Sequence, residues 1–316
     1  MKLQTKIPIQ KQDVKRIDYN SKIVVLGSCF SENIGNKLKY FKFQSTQNPL
    51  GILFHPKAIE NLIVNAINKK EYSQNDLMFQ NERWHCFDAH SSLSSIDKNE
   101  ILKNLNLAIL NTHQKIKDAS HIFITLGTAW VYRFKESGKI VANCHKIPQK
   151  KFSKEILQVD EISDSLSAII KLIRTVNRNV EIVFTVSPVR HIKDGFVENM
   201  QSKSHLISAI HKTIEKKKSA CYFPSYEIMM DELRDYRFYS EDMIHPNKTA
   251  INYIWDKFLA TWFLEETLPT LKEVDAIQRG ISHKSFNENS KEHQLFLKNL
   301  NAKKTKLQEQ FSFMKF

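Results

Sequence analysis

Three short apolar runs constrain what this chain can fold into: residues 22–26, 122–127 and 180–186. Each ends in small residues, at Gly27-Ser28, Gly127-Thr128 and Ser187-Pro188. Short, near-continuous apolar runs suit strands buried on both faces, as parallel sheets require. Between them lie stretches with apolar residues at helical spacing. Ile59, Leu62, Ile63 and Ala66 form one, Ile101, Leu105, Ile109 and Ile116 another, and 160–177 a third. Strands alternating with helices predict an α/β chain with a mainly parallel sheet through about residue 265. The carboxyl ends of such strands share one edge, where ligands bind.

That edge carries the candidate chemistry. Ser28 follows the first run and precedes a helical pattern with Ile34 and Leu38. A hydroxyl there can be a nucleophile if a base reaches it. The segment Asp242-Met243-Ile244-His245 follows the last short strand and precedes a helix predicted over 246–264. Its β–α position puts it on the same edge. His245 can then take the Ser28 proton, while Asp242 orients the imidazole and stabilises its charged form. Backbone N–H groups near Ser28 and at Gly51 or Gly127 can stabilise an oxyanion. Other roles compete. Ser28 can be a turn residue or helix cap, with Ser31 as the alternative cap. Asp242 and His245 can simply open the helix that Pro246 begins.

Two hairpins interrupt the alternation. Residues 77–79 and 84–87 flank a polar tetrad, and 130–134 and 139–142 flank Glu136-Ser137-Gly138. His145 and Asn143 follow the second hairpin and are candidate substrate contacts. Trp84 and Trp130 suit either a pocket wall or the core.

The 316 residues suit one large α/β domain with an appendage, divided at 1–268 and 269–316, the latter a basic helical tail that packs loosely or meets a partner. The net charge is +13, yet only nine of the 47 basic residues are Arg, the preferred residue for bidentate phosphate recognition. No basic patch interleaved with aromatics is visible. Clusters such as Lys216-Lys217-Lys218 read as solvated surface, and no specific nucleic-acid partner is expected. The four cysteines form no C-x-x-C pair, and the histidines show no metal-ligand spacing. No cofactor or metal is expected. The first residues lack a signal-peptide core, and no apolar stretch approaches the ~18 residues of a membrane span. These points lead to the expectation of a cytoplasmic chain without membrane contact. Oligomeric state is not legible.

Gly27-Ser28-Cys29-Phe30-Ser31 resembles the signature of GSCFA-domain proteins, with Ser31 in place of the final alanine. That family resembles the SGNH (GDSL-type) hydrolases, whose first block carries the nucleophilic serine and whose last block is Asp-x-x-His. The stretches 48–51, 125–130, 141–146 and 185–189 are similar too, so the likeness covers about residues 20–265. It implies a three-layer α/β/α sandwich with a flavodoxin-like sheet and serine-based ester chemistry, either hydrolysis or O-acyl transfer. Ser28 would be the nucleophile, His245 the base, Asp242 its partner and Gly51 an oxyanion donor. The implied substrate is a small acyl ester, such as an acetyl ester, of a carbohydrate or small molecule. One departure stands out: Ala129 occupies the place of the third-block Asn that completes the oxyanion hole. Either Thr128, Asn143 or a backbone group replaces it, or the chain is a weak enzyme or a binding module. Cys29, beside Ser28, is an alternative nucleophile, though adjacent residues near a strand end tend to point apart.

Overall fold

A computed structural model describes residues 5–12, 15–217 and 220–316. The start of the lead-in (residues 1–4) and Lys218 of the basic cluster lie outside the described residues. Among those described, five parallel strands form the central sheet: β1 (Lys22–Gly27), β2 (Gln44–Gln47), β5 (His121–Leu126), β9 (Glu181–Val186) and β10 (Cys221–Tyr222). Their order is β10-β9-β5-β1-β2. Relabelled along the sheet this is 2-1-3-4-5, the flavodoxin-like order, in which the chain reverses direction across β1. The crevice at a reversal point is the expected ligand site. It lies between β1 and β5, where Gly27 is in register with Thr125, which in turn faces Thr185 of β9.

The apolar runs are buried on both faces because each face meets its own helical layer. Val24, Leu26, Ile122, Ile124, Ile182 and Phe184 pack with α2 (Pro56–Ile67), α3 (Lys98–Asp118), α4 (Val159–Val176) and α5 (Phe196–Lys217). The alternate residues Ile23, Val25, Phe123 and Val183 pack with α1 (Cys29–Tyr40), α7 (Lys248–Trp262), α8 (Thr267–Ser282) and α9 (Lys291–Gln310). The single turn α6 (Ser225–Glu227) joins β10 to this second layer. The result is an α/β/α sandwich.

Both expected hairpins form. β3 (Leu77–Gln80) pairs with β4 (Arg83–Cys86), and β6 (Trp130–Phe134) pairs with β7 (Ile140–Val141). The structure adds β8 (Phe152–Ile156) on the other side of β6, a strand the sequence did not reveal. Helix α7 starts two residues later than expected. Pro246 pairs with Tyr239 in a β-bridge, and Asn247 caps the helix by accepting the Ala250 N–H (3.1 Å).

The C-terminal helices are anchored to the sandwich at a few points. Leu271, Val274, Ile277, Leu300, Leu307 and Met314 are buried in the second core. Other apolar residues of this region, Ile281, Phe286, Leu295 and Leu297 among them, remain exposed. None of the described helices is long and apolar enough to cross a membrane.

Candidate active site

Gly27 sets where β1 ends. Its backbone lies so close to β5 that a Cβ there would sit 2.0 Å from Thr125 O, and its φ of +124° disfavours a side chain. Its N–H donates to Asn48 Oδ1 (2.9 Å), and its carbonyl accepts the Leu53 N–H (2.9 Å). The chain then turns at Ser28, the extended N-cap residue of α1. An N-cap serine ordinarily turns its hydroxyl onto the helix N–H groups. Here no side-chain cap bond forms. Ser31 caps nothing either, since its hydroxyl donates to Leu26 O (2.9 Å). Ser28 is 1% exposed, and its Oγ is buried without a hydrogen-bond partner among the described residues. A buried polar atom left unpaired in this way calls for an explanation.

Ser28 lines a cavity of about 310 Å³ together with Cys29, Phe54, Gly127, Ser187 and His245. The other wall runs from Val189 to Lys193 and includes Arg190 and His191. Burial pushes the Cys29 thiol above its usual range, which disfavours a thiolate nucleophile.

His245 comes from a tight loop. Ser240 N–H donates to His245 O (2.7 Å), Asn247 N–H to Phe238 O (2.9 Å), and Arg190 N–H to Ile244 O (3.1 Å). The last bond stitches the His245 loop to the cavity wall. Asp242 Oδ1 accepts the N–H groups of Ile244 (2.9 Å) and His245 (3.0 Å), while its Oδ2 lies 2.7 Å from His245 Nδ1. The backbone N–H and ring of His245, then the Ile244 N–H, hold the Asp242 carboxyl down at about 2. An ionised carboxylate only accepts, so Nδ1 carries the proton, which leaves Nε2 as the ring atom that can act as a base. The pair stands at the cavity mouth, about half exposed. Ser28 Oγ and His245 line one cavity but are not hydrogen-bonded to each other.

The other expected site residues divide. Gly127 lines the cavity, but its N–H donates to Phe54 O (2.7 Å). Gly51, Thr128, Asn143 and His145 are not among the lining residues. Gly51 N–H donates to Asn48 O (2.8 Å), and Thr128 N–H to Phe54 O (3.0 Å). Asn143 Oδ1 accepts the His145 N–H (2.8 Å). His145 Nε2 donates to Cys86 O (2.8 Å), and burial lowers its ring to about 4. Trp130 Nε1 donates to Glu198 O (3.2 Å), and Trp84 packs on Phe79. Among the described residues, no group of three or more His, Cys, Asp or Glu is placed to hold a metal.

Sequence reasoning missed Lys203. This lysine of α5 is 1% exposed, and its Nζ donates to Gly127 O and Ser187 O, 2.8 Å each. It thereby ties together the ends of β5 and β9 beside the cavity. The signal was present: Lys203 precedes Leu206 and Ile210 at helical spacing, so it lies on the apolar face of α5.

Comparison with known proteins gives the following. No curated protein matches the chain. Among solved structures, an acetyl xylan esterase from the rumen bacterium Butyrivibrio proteoclasticus is similar, at 10% identity and a TM-score of 0.37. The match covers 84% of this chain and 66% of that one. Residues 274–316 match the model of the GSCFA domain protein, C-terminal domain. Residues 22–258 match the GSCFA family model, and the chain belongs to that family.

Proposed function

We propose that this protein is a serine-dependent esterase or O-acyltransferase, with Ser28 as nucleophile, His245 as base and Asp242 as its orienting partner. The observation that carries the reading is the unpaired, buried Ser28 hydroxyl in a cavity that a carboxylate-oriented imidazole also lines. In free enzymes such serine–histidine contacts often tighten only when substrate binds.

The reaction runs in two displacements. His245 Nε2 accepts the Ser28 proton as Oγ bonds to the ester carbonyl carbon. The tetrahedral intermediate expels the alcohol oxygen, which leaves with the proton from His245. Water or an acceptor alcohol then adds to the acyl-serine, giving its proton to His245, and Ser28 departs with that proton. Asp242 stays ionised throughout. The developing oxyanion meets the first-turn N–H of Cys29, at the N-terminus of α1, where backbone donors lack intrahelical partners. The substrate is a small acyl ester of a carbohydrate or small molecule, sized to the cavity.

A second reading is a binding module of the same fold. It is favoured by the commitment of the Gly51, Gly127 and Thr128 N–H groups to internal carbonyls, and by Ala129 N–H donating to Ser202 Oγ (2.7 Å). A fluorophosphonate serine probe separates the two. Labelling of the wild type, lost in Ser28→Ala and strongly slowed in His245→Ala, supports the enzyme. Folded wild-type protein that takes no label supports the module.

A further inference from the structure

The cavity beside Ser28 is lopsided in charge. Its walls carry two fixed cations, Arg190 and Lys193, and two imidazoles, His191 and His245, but no Asp or Glu. Asp242, behind His245, spends both oxygens on the imidazole and its own loop. Asp194, next along the wall loop, is largely buried; it pairs with Lys154 and also faces His191 electrostatically. Arg190 has no carboxylate partner among the described residues. Its guanidinium lies 4.2 Å above the Tyr239 ring and 5.3 Å from that of Tyr236. Such stacking restrains the group, and a hydrogen bond to the Tyr239 hydroxyl oxygen takes one donor while the rest of the planar fork remains.

A net charge of +13 makes surface lysines common, and exposed Lys193 alone would mean little. Lys203 is different. It is a buried ammonium, bonded to two carbonyls that belong to cavity-lining residues, with no carboxylate paired to it among the described residues. Proteins seldom keep a buried charge without a counter-ion, because desolvation is costly. Burial lowers this lysine to about 7, so an anion placed nearby would restore its full charge. A neutral ester gains nothing from that arrangement.

We propose that the ester accepted by this cavity carries a negatively charged group, a carboxylate or phosphate, read by Arg190 and Lys193 and balanced from beneath by Lys203. The proposal deepens the acyl-serine reading and rests on it for the word ester. The charge selects the substrate, while Ser28 and His245 act on its acyl bond. Phe54, Val189 and Ile244 supply the apolar remainder of the wall.

The test has a kinetic arm and a binding arm. The first compares the mono-4-nitrophenyl ester of succinate with its methyl-capped neutral counterpart. The anionic ester is expected to have the higher kcat/KM by at least about tenfold, and Arg190→Gln to reduce that ratio by a similar factor, with Arg190→Lys intermediate. Lys193→Gln is the second variant, should Arg190→Gln fold poorly. The binding arm titrates succinate and inorganic phosphate separately into the Ser28→Ala protein by calorimetry, at low and high salt. Salt-sensitive binding that weakens about tenfold in Ser28→Ala/Arg190→Gln supports the anion site, and the tighter ligand tells carboxylate from phosphate. Equal rates on the two esters, or no anion binding in the second arm, overturns the proposal. Anion binding by a protein that hydrolyses neither ester keeps the anion site and overturns the acyl-serine reading instead.

Discussion

Asn48 Oδ1 accepts the backbone N–H of Gly27 at 2.9 Å, one residue before the candidate nucleophile. Asn48 itself is buried and sits at φ +40°, a left-handed conformation that asparagine tolerates better than alanine. Two substitutions separate these terms. Asn48→Gly keeps the conformation and loses the bond, at a cost of about 1–3 kcal/mol for the stranded N–H. Asn48→Ala adds about 1–2 kcal/mol of backbone strain. Denaturant unfolding is expected to rank wild type above Asn48→Gly above Asn48→Ala. Equal stability of the two variants would refute the strain term.

Gly27→Ala tests the close approach of β1 and β5. The new methyl would meet Thr125 O at 2.0 Å on a backbone with φ +124°. Strain and overpacking together are expected to remove roughly 2–6 kcal/mol, enough to unfold a marginally stable domain. Circular dichroism and the thermal midpoint read the effect. A variant with wild-type stability would mean that the strand ends can separate freely.

Asp242 carries a pH signature. Its carboxyl is held at about 2 against an ordinary 3.8. A depressed carboxyl stabilises the fold above its unfolded value, and that contribution is lost as pH falls through the folded one. Between about pH 4 and pH 2, wild type is therefore expected to lose stability relative to Asp242→Asn. At neutral pH, Asp242→Asn is expected to slow serine labelling by up to about 10⁴-fold, because the amide no longer enforces the reactive tautomer. Unfolding curves across the acid range and labelling rates at neutral pH check the two halves.

Lys203 carries a second window, at alkaline pH. Burial lowers it from 10.5 to about 7, so between those values the unfolded chain holds a proton that the folded chain has released. Stability of the wild type is expected to rise with pH from about 7 to 10.5, and Lys203→Met to lack this rise. Parallel stability curves for the two proteins would show that the ammonium is not desolvated in the fold.

Leu307, on the last helix, is 1% exposed in the second core. Leu307→Ala is expected to cost about 2–5 kcal/mol and to lower the midpoint of the main unfolding transition. If only a separate, minor transition moves, residues 269–316 behave as the independent appendage expected from composition.

The strands at 22–26, 122–127 and 180–186 were legible because burial on both faces leaves an unbroken apolar run. The common edge of Ser28, Gly127 and the Asp242–His245 loop followed from chain order alone. Strand β8 was hidden, since Phe-Ser-Lys-Glu-Ile has neither a long apolar run nor clean alternation. The fate of the N–H groups of Gly51 and Thr128 was equally hidden, because backbone pairing depends on neighbours distant in sequence. Lys203 escaped notice among many lysines, although its place on the inner face of α5 marked it. The anchoring of α8 and α9 was hidden because the residues that dock in the second core, such as Leu271, Val274 and Leu307, are interspersed with exposed ones such as Leu295 and Leu297.

The crowding of Gly27 against Thr125 has a mutational consequence. The location of Ser28 is written into main-chain atoms, which point mutation barely touches. The cavity wall from Val189 to Lys193 is held by its main chain too, through the Arg190 N–H on Ile244 O and the His191 N–H on Asn199 Oδ1, so its side chains are not what fixes it. Substitution of Arg190 or Lys193 is therefore expected to change the cavity wall while the hydroxyl stays where the sheet puts it.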